Sequence, residues 1–517
     1  MFMVDFKALC LAVLVTTSSF LVLGCGTDSG QRLRAPRILG GSDSTQPELA
    51  AYEVGLPDLT SNSSVEDYLA YAALANPGLR ADFERWQSAL HRVPEAESFP
   101  DPKVSYAYFI RSIETRVGPM EQRVVVSQTF PYYGKRRLRG SAAAEAANAA
   151  LDRYEAARLL LFFRVQDSYY ELYYLKHALK VIDTTLELLR SLEQTVRTRY
   201  TVGDARNADL LKLQMELGKV DNERASLADR RGAIEAKLNS SLNRELADPL
   251  PWPAEPSLAT EKLDERQLLQ RLTDENPELR ALKAHIEKAQ IEVELAEREY
   301  LPDFTVGLDY TEIGDARTPS TTEMTIPSST ITVPAANPAD PPQQIVIPSR
   351  MMRMQMPAPR DSGKDALAVM VSFDLPVWHG RLKAGTAEAE SRLRASRELR
   401  IEKENSLKAD LKLALYRFRD AQRQVSLYGD TLIPSAEQAL RASQTSYIGG
   451  AASFAHLIDA ERLLLEFKLG YYRAVASKMQ SLARIEMLVG RRFSLASASS
   501  KRVAENVFPK ETVQSEE

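Results

Sequence analysis

The stretch "ENPELR" at residues 275–280 decides the fold, because a close copy of it, "ANPGLR", stands at residues 75–80. Both stretches read as helix starts, since asparagine is a favourable N-cap and proline suits the first helical turn. In the later copy, Glu278 also places a negative charge where the helix dipole favours one. Two such starts 200 positions apart raise the question of whether half of the chain is a duplicate.

Three further pairs of similar segments follow in the same order along the chain. They are "FPDPKVSYAY" (99–108) with "LPDFTVGLDY" (301–310), "VSQTFPYYGKRR" (126–137) with "VSFDLPVWHGRL" (371–382), and "RYTVGDARNADLL" (199–211) with "SYIGGAASFAHLI" (446–458). The second of these pairs aligns on Pro131 and Pro376. Four matches in one order indicate that the chain consists of two copies of one structural unit.

Each copy predicts the same series of elements. The first element is a helix, at 64–92 and at 277–299. Two segments of alternating apolar and polar residues follow, rich in β-branched and aromatic side chains and therefore typical of strands. These segments are "KVSYAYFI", "RVVVSQTF", "FTVGLDY" and "ALAVMVSFDL". A very long helix and a shorter returning helix complete each copy, at 136–200 with 207–241 and at 381–447 with 453–490.

The long helices indicate packing against other helices. About 65 residues at 1.5 Å each make a rod of roughly 100 Å, far longer than a globular domain can bury. Between Leu172 and Leu189 the apolar residues stand at 172, 175, 179, 182, 186 and 189. This strict alternation of three and four predicts a coiled-coil seam.

The predicted strands bear on the number of chains in the assembly. Four strands cannot close on themselves, and an open edge in a bilayer leaves backbone groups without partners at a cost of several kcal/mol each. Two chains would give an eight-stranded barrel filled by its own side chains, whereas three chains of four strands would give twelve strands around an open passage. We therefore expect a trimer.

Composition and motifs exclude several classes of function. A net charge of −4 argues against a nucleic-acid binder, which normally carries a basic excess or a basic face. The five histidines have no metal-ligand spacing, and the sequence contains no phosphate loop, nucleophile elbow or HExxH motif. We expect no catalytic site and no cofactor.

The N-terminus predicts export. Residues 8–22 form an apolar stretch too short for a comfortable membrane span, as in a signal peptide. The following "LVLGC" resembles a bacterial lipoprotein lipobox, which implies that Cys25 is acylated, for example with palmitate, and becomes the mature N-terminus. Gly26 after it implies the outer membrane, by resemblance to enterobacterial lipoproteins. A plain signal peptide with an incidental cysteine is the alternative.

Taken together, the paired "NP-x-LR" starts, the passages "FPYYGKRR" and "LPVWHGRLKAG" and the paired Tyr-x-x-Gly turns resemble the TolC family of outer-membrane efflux factors, over residues 64 to 490. The wording "NPELRA" and "LPD" looks closest to the CzcC-like and CusC-like branches that serve metal efflux. The resemblance implies a mainly α fold with a small β portion. It further implies a homotrimer with a 12-stranded outer-membrane β-barrel on a 12-helix periplasmic α-barrel.

The resemblance also implies a function. Such channels passively conduct substrates, here metal ions or small toxic compounds, from a periplasmic adaptor and an inner-membrane pump of the RND type or the ABC type. A type I secretion exit duct is an alternative, and so is a non-conducting, lipid-anchored coiled-coil scaffold. The expected segments are a signal peptide (1–24), a lipidated tether (25–63), the first repeat (64–247), a linker (248–263), the second repeat (264–493) and a tail (494–517).

The two Tyr-x-x-Gly turns are the predicted periplasmic tips. Each needs a residue that tolerates positive φ, which glycine does. We expect the tyrosines to pack the last helical turn and the leucines beyond to restart the seam. By the resemblance, the residues that contact the adaptor are Tyr200, Gly203, Leu210, Tyr447, Gly450 and Leu457; alternatively they only build the turns.

A gate is predicted just beyond the second turn. Relatives often close the tip with two carboxylates spaced three apart, and the matching positions here are His456 and Asp459. The arginine expected four residues earlier is replaced by Ala452. One hypothesis is that three His456 rings near the axis titrate near neutral pH and bias opening. The alternative is an ordinary surface histidine.

Residues 312–364 break the symmetry of the repeats with an insertion rich in Pro, Thr and Ser. We expect a long unstructured extracellular loop, because such backbone cannot lie in lipid. The loop ends in "MMRMQMP", and thioethers select soft metals such as Cu(I) and Ag(I). The weak candidate ligands are Met351, Met352, Met354 and Met356; alternatively these side chains only pack on their neighbours.

Overall fold

A computed structural model describes residues 58–60, 63–203, 206–256, 263–315, 321–333, 341–355 and 361–492. The predicted signal peptide, Cys25, most of the tether, Met356 and the tail lie outside these residues. The predictions made for those segments therefore stay predictions.

The described elements repeat in the predicted order. The first copy contains α1 (Val65–Ala75), α2 (Pro77–Glu97), β1 (Lys103–Tyr108), β2 (Glu114–Thr115), β3 (Gly118–Phe130), α3 (Lys135–Thr201) and α4 (Asn207–Leu242). The second contains α5 (Glu265–Glu275), α6 (Pro277–Arg298), β4 (Phe304–Ile313), an insertion with β5 (Thr321–Ile326), β6 (Ser329–Val333), β7 (Gln343–Ile347) and β8 (Arg350–Gln355), then β9 (Ala366–Phe373), α7 (His379–Leu427), α8 (Ile433–Ile448) and α9 (Phe454–Val489). The predicted fold class, mainly α with a small β portion, is confirmed.

The Asn-Pro motifs lie at junctions between two helices, which corrects the predicted first helices. Asn76 ends α1 and Asn276 ends α5, both with extended backbone angles. Proline disfavours helical geometry in the residue before it and yet fits the first turn of a new helix. The prediction of a single helix over 64–92 is therefore wrong, as is that of a first helix beginning only at 277.

The chain divides into two compact units, each built from both copies. The helical unit comprises Met1–Val93, Ser141–Ile291 and Glu390–Glu517, and the strand unit comprises Pro94–Gly140 and Glu292–Ala389. These units cut across the predicted repeats. The segment boundaries predicted from the repeats stay a prediction.

In the helical unit the predicted seam of α3 is confirmed. Leu172, Leu175 and Leu189 are fully buried, and Leu179 packs on the cluster that contains Leu172 and Leu175. Further along, Ile182, Leu186 and Leu189 join side chains from α4, α8 and α9 in one apolar cluster. We call this group the hairpin cluster, because it lies between the α3–α4 hairpin and the α8–α9 hairpin.

One long helix is broken where the sequence predicted continuity. Helix α3 runs unbroken for 67 residues, whereas its counterpart splits into α7 and α8 around a π-helical segment, Tyr428–Leu432. Pro434 follows at once and cannot donate the backbone hydrogen bond that would extend a regular helix back across this point. The prediction of a single helix over 381–447 is therefore wrong.

The strand unit contains the four predicted strands in one antiparallel sheet. Their order is β1–β3–β4–β9, and the short β2 pairs with β3. Within the described residues, β1 and β9 each pair on one side only. The sheet is therefore open at both ends.

The insertion is structured, which overturns the prediction of an unstructured loop. Strand β5 pairs with β8 and β6 pairs with β7, in one register from Thr321↔Gln355 to Val333↔Gln343. The two ladders are separated where Pro327 and Pro348 stand, and proline cannot donate to a ladder. We call this two-stranded element the ribbon.

Among the described residues no helix is long and apolar enough to cross a membrane.

Candidate functional site

The sheet has one apolar face and one polar face. In β4 the outward residues Phe304, Val306 and Leu308 are exposed, while Asp309 and Thr311 on the other face are buried. This inverts the pattern of a soluble protein, where apolar side chains turn inward. Alternation of apolar-out and polar-in is the signature of a strand that faces lipid on one side and a polar interior on the other.

Register extends the apolar face across the whole sheet. The positions that share it include Val104 and Tyr106 of β1, Val124 and Val126 of β3, Phe304, Val306, Leu308 and Tyr310 of β4, and Leu367, Val369, Val371 and Phe373 of β9. Those of β9 and the β1 pair are all exposed. An exposed apolar surface spanning four strands requires a partner or a lipid environment.

The polar face is held together by an ion pair between strands. Arg123 of β3 donates from Nε to both carboxylate oxygens of Asp309 in β4, at 2.9 and 3.0 Å. Further along the same two strands, the hydroxyls of Thr129 and Thr305 are 2.9 Å apart. These contacts join the two central strands of the sheet on its polar face.

Two of the quoted motifs meet where the strands pass into α3. The ammonium of Lys135, in "FPYYGKRR", is buried and donates to the Asp303 carboxylate at 2.8 Å and to the Leu301 carbonyl at 2.9 Å, both in "LPD". The same carboxylate accepts from the backbone N–H of Tyr132 at 2.8 Å. A buried ammonium needs such partners. These contacts therefore fix the chain segment that connects β3 to α3.

Both predicted helical turns contain glycine in the left-handed region, as expected. Gly203 has φ of +84° and Gly450 has φ of +75°. A Cβ at either position would meet no atom within 4 Å. Glycine is therefore required here by the backbone angle alone, not by crowding.

The two turns pack side by side but differ in detail. Tyr447 is 7% exposed, and its ring meets Phe454 at 5.6 Å. Arg199, from the first turn, donates to the Tyr447 carbonyl at 2.6 Å. Tyr200 is 45% exposed, so the prediction that it packs the last turn is wrong. The position that matches Phe454 is Asn207, so the first turn cannot repeat the ring contact that Tyr447 makes.

The predicted leucines do restart the seam. Leu457 is fully buried in the hairpin cluster, and Leu210 packs against the same cluster. Both therefore belong to the interior of the hairpins. Any direct contact with an adaptor would then be made by residues of the turns. That contact stays a prediction.

The two gate candidates lie on the exposed side of α9. His456 is in the first helical turn, where its backbone N–H donates to the cap Ser453 at 3.4 Å. Asp459 is exposed and lies 3.7 Å from Arg462. Their spacing of three places both side chains on one face of the helix. Their role in gating stays a hypothesis.

Two buried acids lie just beyond, and the sequence analysis missed them. Glu216 of α4 and Glu461 of α9 are each 2% exposed. Burial raises the pKa of Glu461 to about 7, and the charge of Glu216 adds to this, whereas a hydrogen bond from Thr185 opposes it. The spacing of Leu457, Glu461 and Leu464 in the apolar stripe of α9 was the available signal.

The strand pairing of the ribbon determines which of the methionine candidates share a face. Met352 stands directly opposite Met324, while Met351 stands opposite Thr325 and so points to the other face. Met354 pairs with Thr322 in the backbone register. The structure thus separates Met351 from Met352 and adds Met324, which the sequence analysis did not name. In the described part of the chain, no group of three or more His, Cys, Asp or Glu side chains could hold a metal ion.

The sequence matches the family model described as outer membrane efflux protein over residues 75–244 and over residues 268–491. The chain belongs to the outer membrane efflux protein family. This confirms the resemblance to TolC-family efflux factors. Members of this family are transport proteins, so the efflux protein is not an enzyme. Its place is the outer membrane.

Individual relatives are distant but similar over most of their length. The cobalt-zinc-cadmium resistance protein CzcC of Cupriavidus metallidurans is 19% identical over 440 residues, covering 83% of this chain and 90% of the relative. The solved structure of VceC from Vibrio cholerae is 16% identical with a TM-score of 0.63, covering 83% of this chain and 97% of VceC. That of CusC is 14% identical with a TM-score of 0.63, covering 88% of this chain and 100% of CusC.

Proposed function

We propose that three copies of the efflux protein form a passive duct through the outer membrane. The observation that carries this proposal is the open sheet β1–β3–β4–β9, which has an apolar exposed face and, as far as the structure describes the chain, an unpaired edge at β1 and another at β9. In a soluble monomer both features would promote aggregation. In a membrane, the apolar face and the open edges fit a barrel whose strands come from several chains.

The edges favour other copies of the same chain as partners. Every residue of β1 and of β9 is exposed. An open edge is not tolerated in lipid, so β9 of one copy would pair with β1 of the next. Three chains of four strands would then give a barrel of twelve, within the range of outer-membrane barrels, with the Arg123–Asp309 face turned to the passage.

The helices would continue the passage into the periplasm. The two glycine turns lie together, joined by Arg199 and Tyr447, and they present a compact tip for a periplasmic adaptor. An inner-membrane pump, of the RND type or the ABC type, would supply the energy. Acylation of Cys25 would add a lipid anchor.

The proposed cargo is metal ions or small toxic compounds. The similarity to CzcC, named for resistance to cobalt, zinc and cadmium, supports the first. A type I secretion duct is the second candidate for the cargo, and a non-conducting coiled-coil scaffold is the alternative to a duct. The polar, charged face of the sheet favours conduction, since a scaffold has no use for it.

Conductance of the purified protein tests the proposal. The full chain, extracted in detergent, should run as a heat-modifiable trimer and produce stepwise ion conductance in planar lipid bilayers. A watertight monomer would overturn the proposal. The cargo is tested separately by deleting the gene and measuring tolerance to cobalt, zinc and cadmium salts.

The gating role proposed for His456 has its own test. If His456 biases opening, conductance of the wild type should depend on pH, and His456→Ala should reduce that dependence. Ser453→Ala, which alters the helix cap but retains the ring, is the matched control. An unchanged pH profile in His456→Ala would contradict the gating role.

A further inference from the structure

A buried acid lies between the two hairpins of the helical unit. Glu461 of α9 is 2% exposed, accepts a hydrogen bond from the hydroxyl of Thr185 on α3 and feels the charge of Glu216 on α4. Its other oxygen, Oε2, has no hydrogen-bond partner among the described residues. A carboxylate in this position is poorly stabilised, whereas the protonated acid is tolerated far better.

The nearby cations are occupied by Glu216. Arg462 of α9 donates to Glu216 Oε2, and Lys219 of α4 lies 3.7 Å from Glu216 Oε1. Arg462 also lies 3.7 Å from the exposed Asp459. Glu461 therefore gains only partial compensation from these positive charges. The two acids are unequal, since Arg462 and Lys219 lower the pKa of Glu216 while burial raises that of Glu461.

Helix α8 completes the set of helices that pack in the hairpin cluster, to which it contributes the apolar Leu440. Glu437 of α8 is paired with Lys468 of α9 at 3.0 Å. Together these contacts make Glu461 an acid that favours binding a proton when the hairpins are packed.

The second hairpin also has a joint that the first hairpin lacks. The π-helical segment Tyr428–Leu432 lies between α7 and α8, whereas α3 has no such break. Across the joint, the Tyr428 ring covers Gly470 and the Tyr471 ring covers Gly429, so that a Cβ would stand 2.9 Å and 3.2 Å from them. Glu461 lies between this joint and the turn at Gly450 along the hairpin.

We propose that Glu461 is a proton-binding site that couples protonation to the packing of the α8–α9 hairpin on the α3–α4 hairpin. When Glu461 is protonated the hairpins are packed. When it is charged the α8–α9 hairpin loosens, bending at Tyr428–Leu432. The consequence for transport, an opening of the tip, rests on the proposed duct function, whereas protonation and packing do not.

The direction of the pH dependence follows from linkage. The packed state raises the pKa of Glu461 from the ordinary value of 4.5 to about 7. Packing is therefore strongest below pH 4.5, weakens as the pH rises towards 7, and changes no further above 7. Within this window the packing equilibrium shifts by at most about tenfold per pH unit.

Hydrogen exchange at the turn tests the coupling. In the full-length protein in detergent, backbone protection over residues 446–465, corrected for the intrinsic rate, should fall between pH 5 and pH 7 and then level off. Glu461→Gln mimics the protonated acid, so its protection should be high and flat. Glu466→Gln, which neutralises an exposed acid on the same helix, should keep the wild-type profile. If protection over these residues still fell with rising pH in Glu461→Gln, the proposal would be overturned.

Infrared spectroscopy tests protonation itself. A band of a buried protonated carboxyl should be present at pH 6, vanish by pH 8, and be missing at both values in Glu461→Gln. Thr185→Val removes the hydrogen bond that stabilises the charged form, so the transition should move to higher pH. A band that Glu461→Gln leaves unchanged would overturn the proposal. Both measurements apply whether or not the protein conducts ions, so the proposed function can fail independently.

Discussion

Asn276 joins the start of the second copy to its end. Its Nδ2 donates to the backbone oxygen of Leu488 at 2.8 Å, and its Oδ1 accepts from the backbone N–H of Leu279 at 3.1 Å. The side chain thus caps α6 and also satisfies a carbonyl in the last turn of α9. Asparagine can do both, because its amide group carries a donor and an acceptor.

Asn76 makes the same pair of contacts in the first copy. Its Nδ2 donates to the Ser241 oxygen at 2.9 Å, and its Oδ1 accepts from the Leu79 N–H at 3.0 Å. Ser241 precedes the last residue of α4, as Leu488 precedes that of α9. In each copy, the asparagine of the repeated motif therefore caps one helix and binds a carbonyl in the last turn of another.

Asn276→Ala should destabilise the protein by about 1–3 kcal/mol, because it removes a cap and leaves the buried Leu488 carbonyl without its donor. Asn276→Asp keeps the acceptor and should separate the two contributions. Asn76→Ala is the matched control and should cost less, since Asn76 is less buried. Thermal unfolding of the purified protein measures all three. Equal losses at both junctions would contradict the role of burial.

A charge on the apolar face should prevent assembly. Val369 is 72% exposed there, and a lysine at such a position in a bilayer costs about 2–4 kcal/mol. Val369→Lys should therefore reduce the heat-modifiable trimer in outer-membrane fractions. Ala368→Lys places the same charge on the polar face, opposite Asp309 in the register, and should be tolerated. Equal loss in both variants would argue against a lipid-facing surface.

The ion pair on the polar face should influence which ions pass. Arg123→Gln leaves the Asp309 carboxylate uncompensated and should shift the conductance towards cations. Asp309→Asn leaves the guanidinium and should shift it towards anions. Reversal potentials in a salt gradient across a planar bilayer measure the selectivity. If both variants match the wild type, this pair does not line the passage.

The left-handed glycine of the second turn should not tolerate a side chain. Gly450→Ala should cost about 1–2 kcal/mol through the backbone angle alone, since no atom crowds the position. Gly232 in the middle of α4 is equally uncrowded but helical, so Gly232→Ala should stabilise by up to about 1 kcal/mol. Hydrogen exchange at the turn and thermal unfolding provide the comparison. Stabilisation by Gly450→Ala would contradict the assigned geometry.

If the ribbon binds a soft metal, Met324 and Met352 should carry the binding. Directly opposite residues of an antiparallel pair have Cβ atoms about 4.5–5.5 Å apart, within reach of one Ag(I) ion. The double substitution to leucine should abolish Ag(I) binding, measured by calorimetry. Met351→Leu lies on the other face and should have no effect. Unchanged binding in the double variant would leave the methionines as ordinary surface residues.

Much of the fold could be predicted because its signals are local. Alternation in "FTVGLDY" predicted a strand, and the spacing from Leu172 to Leu189 predicted a buried seam. The break at Tyr428–Leu432 could not be predicted with the same ease, because Pro434 alone does not distinguish a kink, a helix end and a π segment. The ribbon was missed because its Pro- and Thr-rich composition resembles that of a loop, whereas its pairing depends on register.

The candidate site was predictable only in part, since it depends on contacts between distant segments. Gly203 and Gly450 follow from turn chemistry. Tyr200 and Tyr447 carried the same prediction, but burial of a ring depends on its neighbour, and Asn207 replaces the aromatic residue in the first turn. The sequence around Glu461 is ordinary for a helix. Its carboxyl is buried only because three helices pack around it.

The two open strand edges have a genetic consequence. If neighbouring copies complete one another's sheet, a variant with a damaged β9 but an intact β1 can still join a ring and leave it unsealed. In a cell that makes both forms, such an allele should be dominant, whereas an allele that prevents export of the chain should be recessive. Growth of a mixed strain under a toxic load would then depend on which edge is broken, even at equal expression.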